Sequence, residues 1–231
     1  MHDSTRDPGS LLLGIDTCGP VGSVALGRLN AGGVEILGQK ELAGRTYSAT
    51  LVAAIEELLE EAKTSLRQIL AVVVVSGPGS FTGVRVGLSA AKGMAEGAGL
   101  PIAAVSRLEV LAAKAGVTSS ALDAHRHEVF LRIDAPSKES RELLAGREEL
   151  AAIDPPPARI AICDEADAAL LHSAWPAAEI VSATAPTAAD ALALSAPRIE
   201  RGEFASVETL DGHYLRRSDA EIFGPPEPPK P

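Results

Sequence analysis

Two places in the chain hold residues whose types and spacing suit chemistry. One is Asp16, an acid at the end of the apolar run LLLGID, followed by Thr17. The other is SGPGSFTGVRVG, Ser76 to Gly87, which follows the valine run AVVVV. In the second, Gly77, Gly79, Ser80 and Gly83 let the backbone turn sharply and present several N–H groups near a helix start. That is the requirement for holding an anion such as a phosphate, with Thr82 and Arg85 close by. A Walker loop ends in Gly-Lys-Ser/Thr, and Gly83-Val84-Arg85 does not. The same glycines also suit a tight strand-to-helix turn that packs closely. Asp16 likewise has two readings: an acid beside a metal-bound phosphate in a cleft, or the side-chain cap of an Asx-type turn. A third group, Asp123, His125, His127 and Glu128, contains an H-x-H pair but no third ligand at a suitable spacing, so no metal is expected there. Ser80 is not in a G-x-S-x-G elbow, which argues against a serine hydrolase.

These residues need elements to position them. LLLGIDTCG, VGSVALGRL and GGVEILGQKEL read as three antiparallel strands joined by glycine-rich turns. From Ser48 to Lys63 the apolar residues Leu51, Ile55, Leu58, Leu59 and Ala62 fall on one helical face, with a Ser or Thr cap near the start. AVVVVS is an unbroken apolar strand of the kind buried in parallel sheets. Val84 to Ala98 reads as a helix despite Gly87 and Gly93, PIAAVS as a strand, and Arg107 to Ala115 as a helix. The pattern then restarts. SSALDA, HRHE and VFLRIDA form a strand, turn and strand with Asp123 ending the first strand, as Asp16 does earlier. RIAICDE, AEIVSA and the helix TAADALALSAPRIERG follow. The chain therefore reads as two similar α/β halves, residues 11–106 and a smaller one at 107–221, between tails at 1–10 and 222–231.

Composition narrows the function classes. There are 231 residues, with 31 acidic and 21 basic side chains and a net charge of −10. No lysine- or arginine-rich run occurs, so a primary grip on a nucleic-acid backbone is not expected. Cys18 and Cys163 lack any paired spacing and read as reduced thiols of a cytoplasmic protein. The sequence has no apolar signal core and no run approaching the ~20 residues of a membrane span.

GPGSFTGVRVG with its valine strand, GLPIAAVS, ALDAHRHEVF, the opening LLLGIDTCGPVGSVAL and the closing GHYLRRSDAE together resemble the TsaB family of tRNA threonylcarbamoyladenosine biosynthesis. The resemblance runs from about Leu11 to Glu221. It implies a duplicated actin-like, ribonuclease H-like fold with a shortened second half. It also implies a non-catalytic scaffold that pairs with the threonylcarbamoyl transferase TsaD and supports docking of the ATPase TsaE. tRNA is then met only through the complex, and ATP or ADP only near the interfaces. In TsaD a His-x-x-x-His pair holds the active-site metal. The corresponding positions here are Arg107 and Leu111, and neither can be a ligand. Many family members carry a histidine before the first long helix, where this chain has RTYSATL. The pairing surface is expected on the first two helices, at Leu51, Ile55, Leu58, Val84, Leu88 and Met94; alone, the chain could form a homodimer through it. The rival reading is an active ATPase or metallopeptidase of the same fold.

Overall fold

In the computed structural model, residues 10–44, 46–135 and 138–216 are described. The N-terminal tail up to residue 9, Arg45, the end of the YLRRSDAE segment and the Pro-rich tail lie outside them. Strands β1 (Leu11–Asp16), β2 (Val21–Asn30), β3 (Gly33–Ala43), β4 (Ile69–Val75) and β5 (Ile102–Val105) form one sheet in the order β3-β2-β1-β4-β5. The first three run antiparallel as a meander, while β4 pairs parallel with both β1 and β5. Strands β6 (Ser120–Asp123), β7 (Val129–Ala135), β8 (Lys138–Ala145), β9 (Arg159–Ile162) and β10 (Glu179–Ser182) form the second sheet, in the order β10-β9-β6-β7-β8. Matched strand for strand from β1 and β6, the order and the directions are the same in both sheets. This is the duplicated actin-like, ribonuclease H-like fold, with four of the five strands shorter in the second copy.

The helices cover the sheets according to their apolar faces. α1 (Tyr47–Glu61) and α2 (Phe81–Ala98) lie on one face of the first sheet, and α6 (Ala188–Glu200) lies on the other. The ILAVVVV strand is therefore buried from both sides, as its unbroken apolar run requires. In the second half, α3 (Arg107–Lys114) covers one face, while α4 (Arg147–Ala151) and α5 (Glu165–Ala174) cover the other around Trp175. α3 also meets α6, so these two helices lie between the sheets, joined by Arg198–Glu109 and Lys114–Asp190 ion pairs.

Three expectations change. β8, α4 and α5 were not foreseen as elements, and α2 begins three residues earlier than Val84, at Phe81. α1 starts without the expected side-chain cap, because the Thr46 hydroxyl donates to the Ala43 carbonyl instead. Side-chain caps stand instead at Ser80 on α2, Ser106 on α3, Asp164 on α5 and Thr187 on α6, each accepting from an amide of the first turn. Among the described residues no helix is long and apolar enough to cross a membrane.

α6 follows the second sheet in sequence yet packs on the first, and Gly14 makes that possible. A Cβ there would stand 2.8 Å from the Ala188 carbonyl oxygen and 2.9 Å from Leu192 Cγ, and Ala188 N donates to Ser23 Oγ beside it. Gly14→Val is expected to push α6 off the sheet and cost about 1–3 kcal/mol, read as a lower denaturant midpoint; an unchanged midpoint would count against this packing.

Candidate functional site

The glycine loop connects β4 to α2 at the boundary between the halves. Gly77, with φ of +115°, takes a conformation that favours glycine. The remaining glycines answer to what packs against them. Cβ atoms at Gly79, Gly83 and Gly87 would collide with the Cys18 carbonyl oxygen, the Thr17 carbonyl oxygen and Thr17 Oγ1 respectively. The end of β1 thus lies directly on the loop and the first two turns of α2. Its polar groups bind there as well: Ser80 N donates to Cys18 O at 2.8 Å, and Thr17 Oγ1 donates to Gly83 O at 2.7 Å. Gly83 N is taken by the Ser80 side chain. Of the two readings of this loop, the close-packed turn accounts for its spacing, because the chain's own backbone fills the space next to the glycines.

Asp16 is 1% exposed and serves as the side-chain acceptor of an Asx-type turn, with Cys18 N donating to Oδ1 at 2.8 Å. Its other oxygen faces a cation of the same chain: Arg107 Nε lies 3.6 Å from Oδ2, with side-chain exposures of 7% and 1%. Neither Oδ2 nor Nε has a hydrogen-bond partner, so charge alone compensates each. The Cys18 thiol donates to Val75 O, and burial, followed by the Asp16 charge, pushes its pKa well up, away from thiolate reactivity. Tyr47, in the RTYSATL segment, donates its hydroxyl to Gly19 O at 2.6 Å; burial raises its pKa to about 12.

The remaining candidates separate. Gly77 is buried, whereas Ser80, Thr82 and Arg85 are exposed. The Arg85 guanidinium stacks over Phe81, 3.7 Å from the ring centroid, with Tyr214 beside it. Leu51, Ile55, Leu58, Val84 and Leu88, expected at a partner surface, are all 5% exposed or less and face their own sheet; Met94 is half-buried. An amphipathic face shows that a helix buries one side, and here the first sheet takes it. Asp123, His125, His127 and Glu128 sit at the β6–β7 hairpin. Asp123 Oδ1 accepts from His125 N and its Oδ2 contacts His125 Nδ1 at 2.8 Å, while Arg216 pairs with Glu128. Among the described residues no three His, Cys, Asp or Glu side chains converge to share an ion.

Sequence reasoning missed a polar cluster next to the loop. A cavity of about 430 Å³ opens between the halves, lined in part by Ser76, Ser106, Arg132, Glu142 and His213. Glu142 accepts from Ser106 Oγ at 2.6 Å and from Arg132 Nη1 at 2.8 Å. His213 Nε2 is 2.8 Å from Glu142 Oε2, at an angle poorer than that of a hydrogen bond. Burial works against ionisation of Glu142, yet its contacts with His213, Ser106 and Arg132 outweigh it and hold the carboxyl below its usual range. Arg132 and Glu142 face each other across the β7–β8 hairpin, while Ser76 follows β4, Ser106 caps α3 and His213 lies in the C-terminal segment, so only the first two are linked by local pairing.

The model of the family "TsaD: tRNA N6-adenosine threonylcarbamoyltransferase" matches residues 35–141. The tRNA threonylcarbamoyladenosine biosynthesis protein TsaB of Haemophilus influenzae is 39% identical over 125 residues, and that of Escherichia coli 38% over 128. Over these stretches the chain is similar in sequence to TsaB proteins. Each match takes in 52% of this chain and about half of the relative, 51% and 52% respectively. A crystal structure from Pseudomonas aeruginosa, titled as an uncharacterized protein with similarity to peptidase YEAZ, superposes with a TM-score of 0.68. It is 27% identical, and the superposition covers 90% of this chain and all of that one. The structural likeness therefore takes in both sheets, beyond the half of the chain that the TsaB sequences match.

The buried pair makes a direct prediction. Arg107→Met strands the Asp16 charge and is expected to cost about 3–5 kcal/mol, while Asp16→Asn added to it restores much of the loss. Urea denaturation of both variants checks this, and a single variant within 1 kcal/mol of wild type contradicts it.

Proposed function

We propose that the chain is a non-catalytic subunit of the machinery that forms threonylcarbamoyladenosine in tRNA, and that it works in the cytoplasm by docking on a TsaD-type transferase. One observation carries this reading: Arg107 places the chain's own positive charge against Asp16 while the Thr17–Cys18 backbone packs into the glycine loop. An arginine there cannot ligate a metal or exchange for substrate, and a filled loop offers no cradle for a phosphate. The names of the TsaB relatives supply the pathway. The charge of −10 agrees with leaving the grip on tRNA to partners.

The docking surface in this reading is the outer side of α1 and α2, not the inward residues. Val52 is 59% exposed on α1, and Val86, Ala90 and Met94 are half-buried on α2. At Gly93 and Gly97 nothing stands within 4 Å of where a Cβ would lie, so a partner helix can approach the backbone closely. The same face pairs two copies when the chain is alone. TsaE docks on the assembled pair, and any ATP or ADP is held mainly by partner groups.

Coexpression with TsaD and TsaE tests the proposal. Val52→Glu with Gly93→Arg is expected to reduce TsaD copurification by about tenfold or more, as for truncation at the centre of an interface, with an unchanged melting temperature, and to lower threonylcarbamoyladenosine in tRNA measured by mass spectrometry. Unaltered copurification rejects this surface. ATP hydrolysis or threonylcarbamoyl transfer by the isolated chain rejects the non-catalytic role.

A further inference from the structure

A second cavity, of about 440 Å³, lies away from the glycine loop, between the β6–β7 hairpin and α5. From the hairpin it is bordered by Asp123 and His125, and from the helix by Ala166, Asp167, Ala169 and Leu170. Asp167 is the unusual member. It is 3% exposed, and its Oδ2 has no hydrogen-bond partner. Buried carboxyl oxygens are normally satisfied, because removing them from water without a partner is costly. The charges nearby do not supply one. Glu128 is engaged by Arg216, His125 is occupied by Asp123, and Arg126, the other cation bordering the cavity, is exposed on the hairpin and makes no hydrogen bond to Asp167 Oδ2.

The lining decides the class of ligand. A metal ion needs three or more convergent donors, and among the described residues no such group exists. An anion would have to sit beside Asp167 and Asp123 together. A monovalent organic cation needs only one or two carboxylates and an apolar wall for its stem, and both are present. We propose that this cavity binds a primary alkylammonium group, its nitrogen against the carboxylates of Asp167 and Asp123 and its alkyl stem along Ala166, Ala169 and Leu170. The site is independent of the role proposed above, since it shares no residue with α1, α2 or the glycine loop.

The acid–base behaviour agrees with this geometry. Burial, followed by the charges of Asp123 and Asp164, raises the Asp167 pKa to about 7, against smaller opposing effects from the Asp123 backbone and His125. Arg126, His127 and Glu128 complete the titratable groups bordering the cavity. An ammonium group stabilises the ionised carboxyl, so its binding lowers this pKa, and affinity rises as pH increases through 7.

Amide spectra of the full chain, titrated with n-butylamine at constant ionic strength, test the site. Saturable shifts are expected at residues 123–128 and 165–170, absent with n-butanol and weakened about tenfold or more in Asp167→Asn, as for loss of a hydrogen bond to a charged group. Putrescine and Nα-acetyl-lysine methylamide distinguish a free diamine from a lysine side chain, whichever saturates at lower concentration. Equal response to n-butanol, no saturable shift, or undiminished binding to Asp167→Asn overturns the proposal. Should that variant not fold, the Asp167 carboxyl carbon of the wild-type chain gives the answer: n-butylamine must move its titration to lower pH, and an unmoved midpoint overturns the proposal equally.

Discussion

The end of β1 and the start of α2 touch backbone to backbone, and much of the molecule follows from that contact. Glycine at positions 79, 83 and 87 lets Thr17 and Cys18 come close enough to bond Ser80 and Gly83 directly. With β1 seated there, Asp16 is carried into the interior, where an uncompensated charge is costly. Arg107, at the first position of α3, supplies the counter-charge from the other half. One close approach therefore fixes the loop, dictates a cation at residue 107 and ties the two halves at their junction. Two amides of the loop, Ser80 N and Gly83 N, are bonded within the chain by this arrangement.

Duplication sets the wider frame. Both sheets repeat one strand order, and α3 and α6 lie between them in corresponding roles. α6 closes the first sheet only after the chain has traversed the second, which links the halves covalently as well as by packing. The cleft between them keeps a polar lining around Glu142, but its carboxyl is already held by Ser106 and Arg132, with His213 against it. Engaged by Ser106 and Arg132, the Glu142 carboxyl acts as a clasp between β7, β8, the start of α3 and the C-terminal segment.

Much of the fold was legible because its signals are local. Alternation and glycine turns mark β1 to β3, the valine run marks a doubly covered strand, and the restart after Ser119 marks the duplication. β8 was not legible, since KESRELLA carries charges that do not alternate with apolar residues as a half-buried strand's would. The placement of α6 rests on Gly14 meeting Ala188, a contact no periodicity encodes. The same limit governed the site. Asp16 was visible as a strand-end acid and Arg107 as a residue unable to ligate a metal, yet their pairing is a long-range contact. The spacing of α1 marks its apolar face, but the burial of that face against β2 and β3, and not against another protein, depends on the tertiary structure.

The proposed non-catalytic role turns on Asp16 and Arg107 being structural. The most direct measurement is threonylcarbamoyladenosine formation on tRNA in an assembly reconstituted with TsaD and TsaE, using the paired variant Asp16→Asn, Arg107→Met, which keeps the junction neutral. The account predicts that the folded variant supports modification at the wild-type rate. Loss of modification by a variant that still folds and still assembles would place these two residues in the chemistry and contradict it.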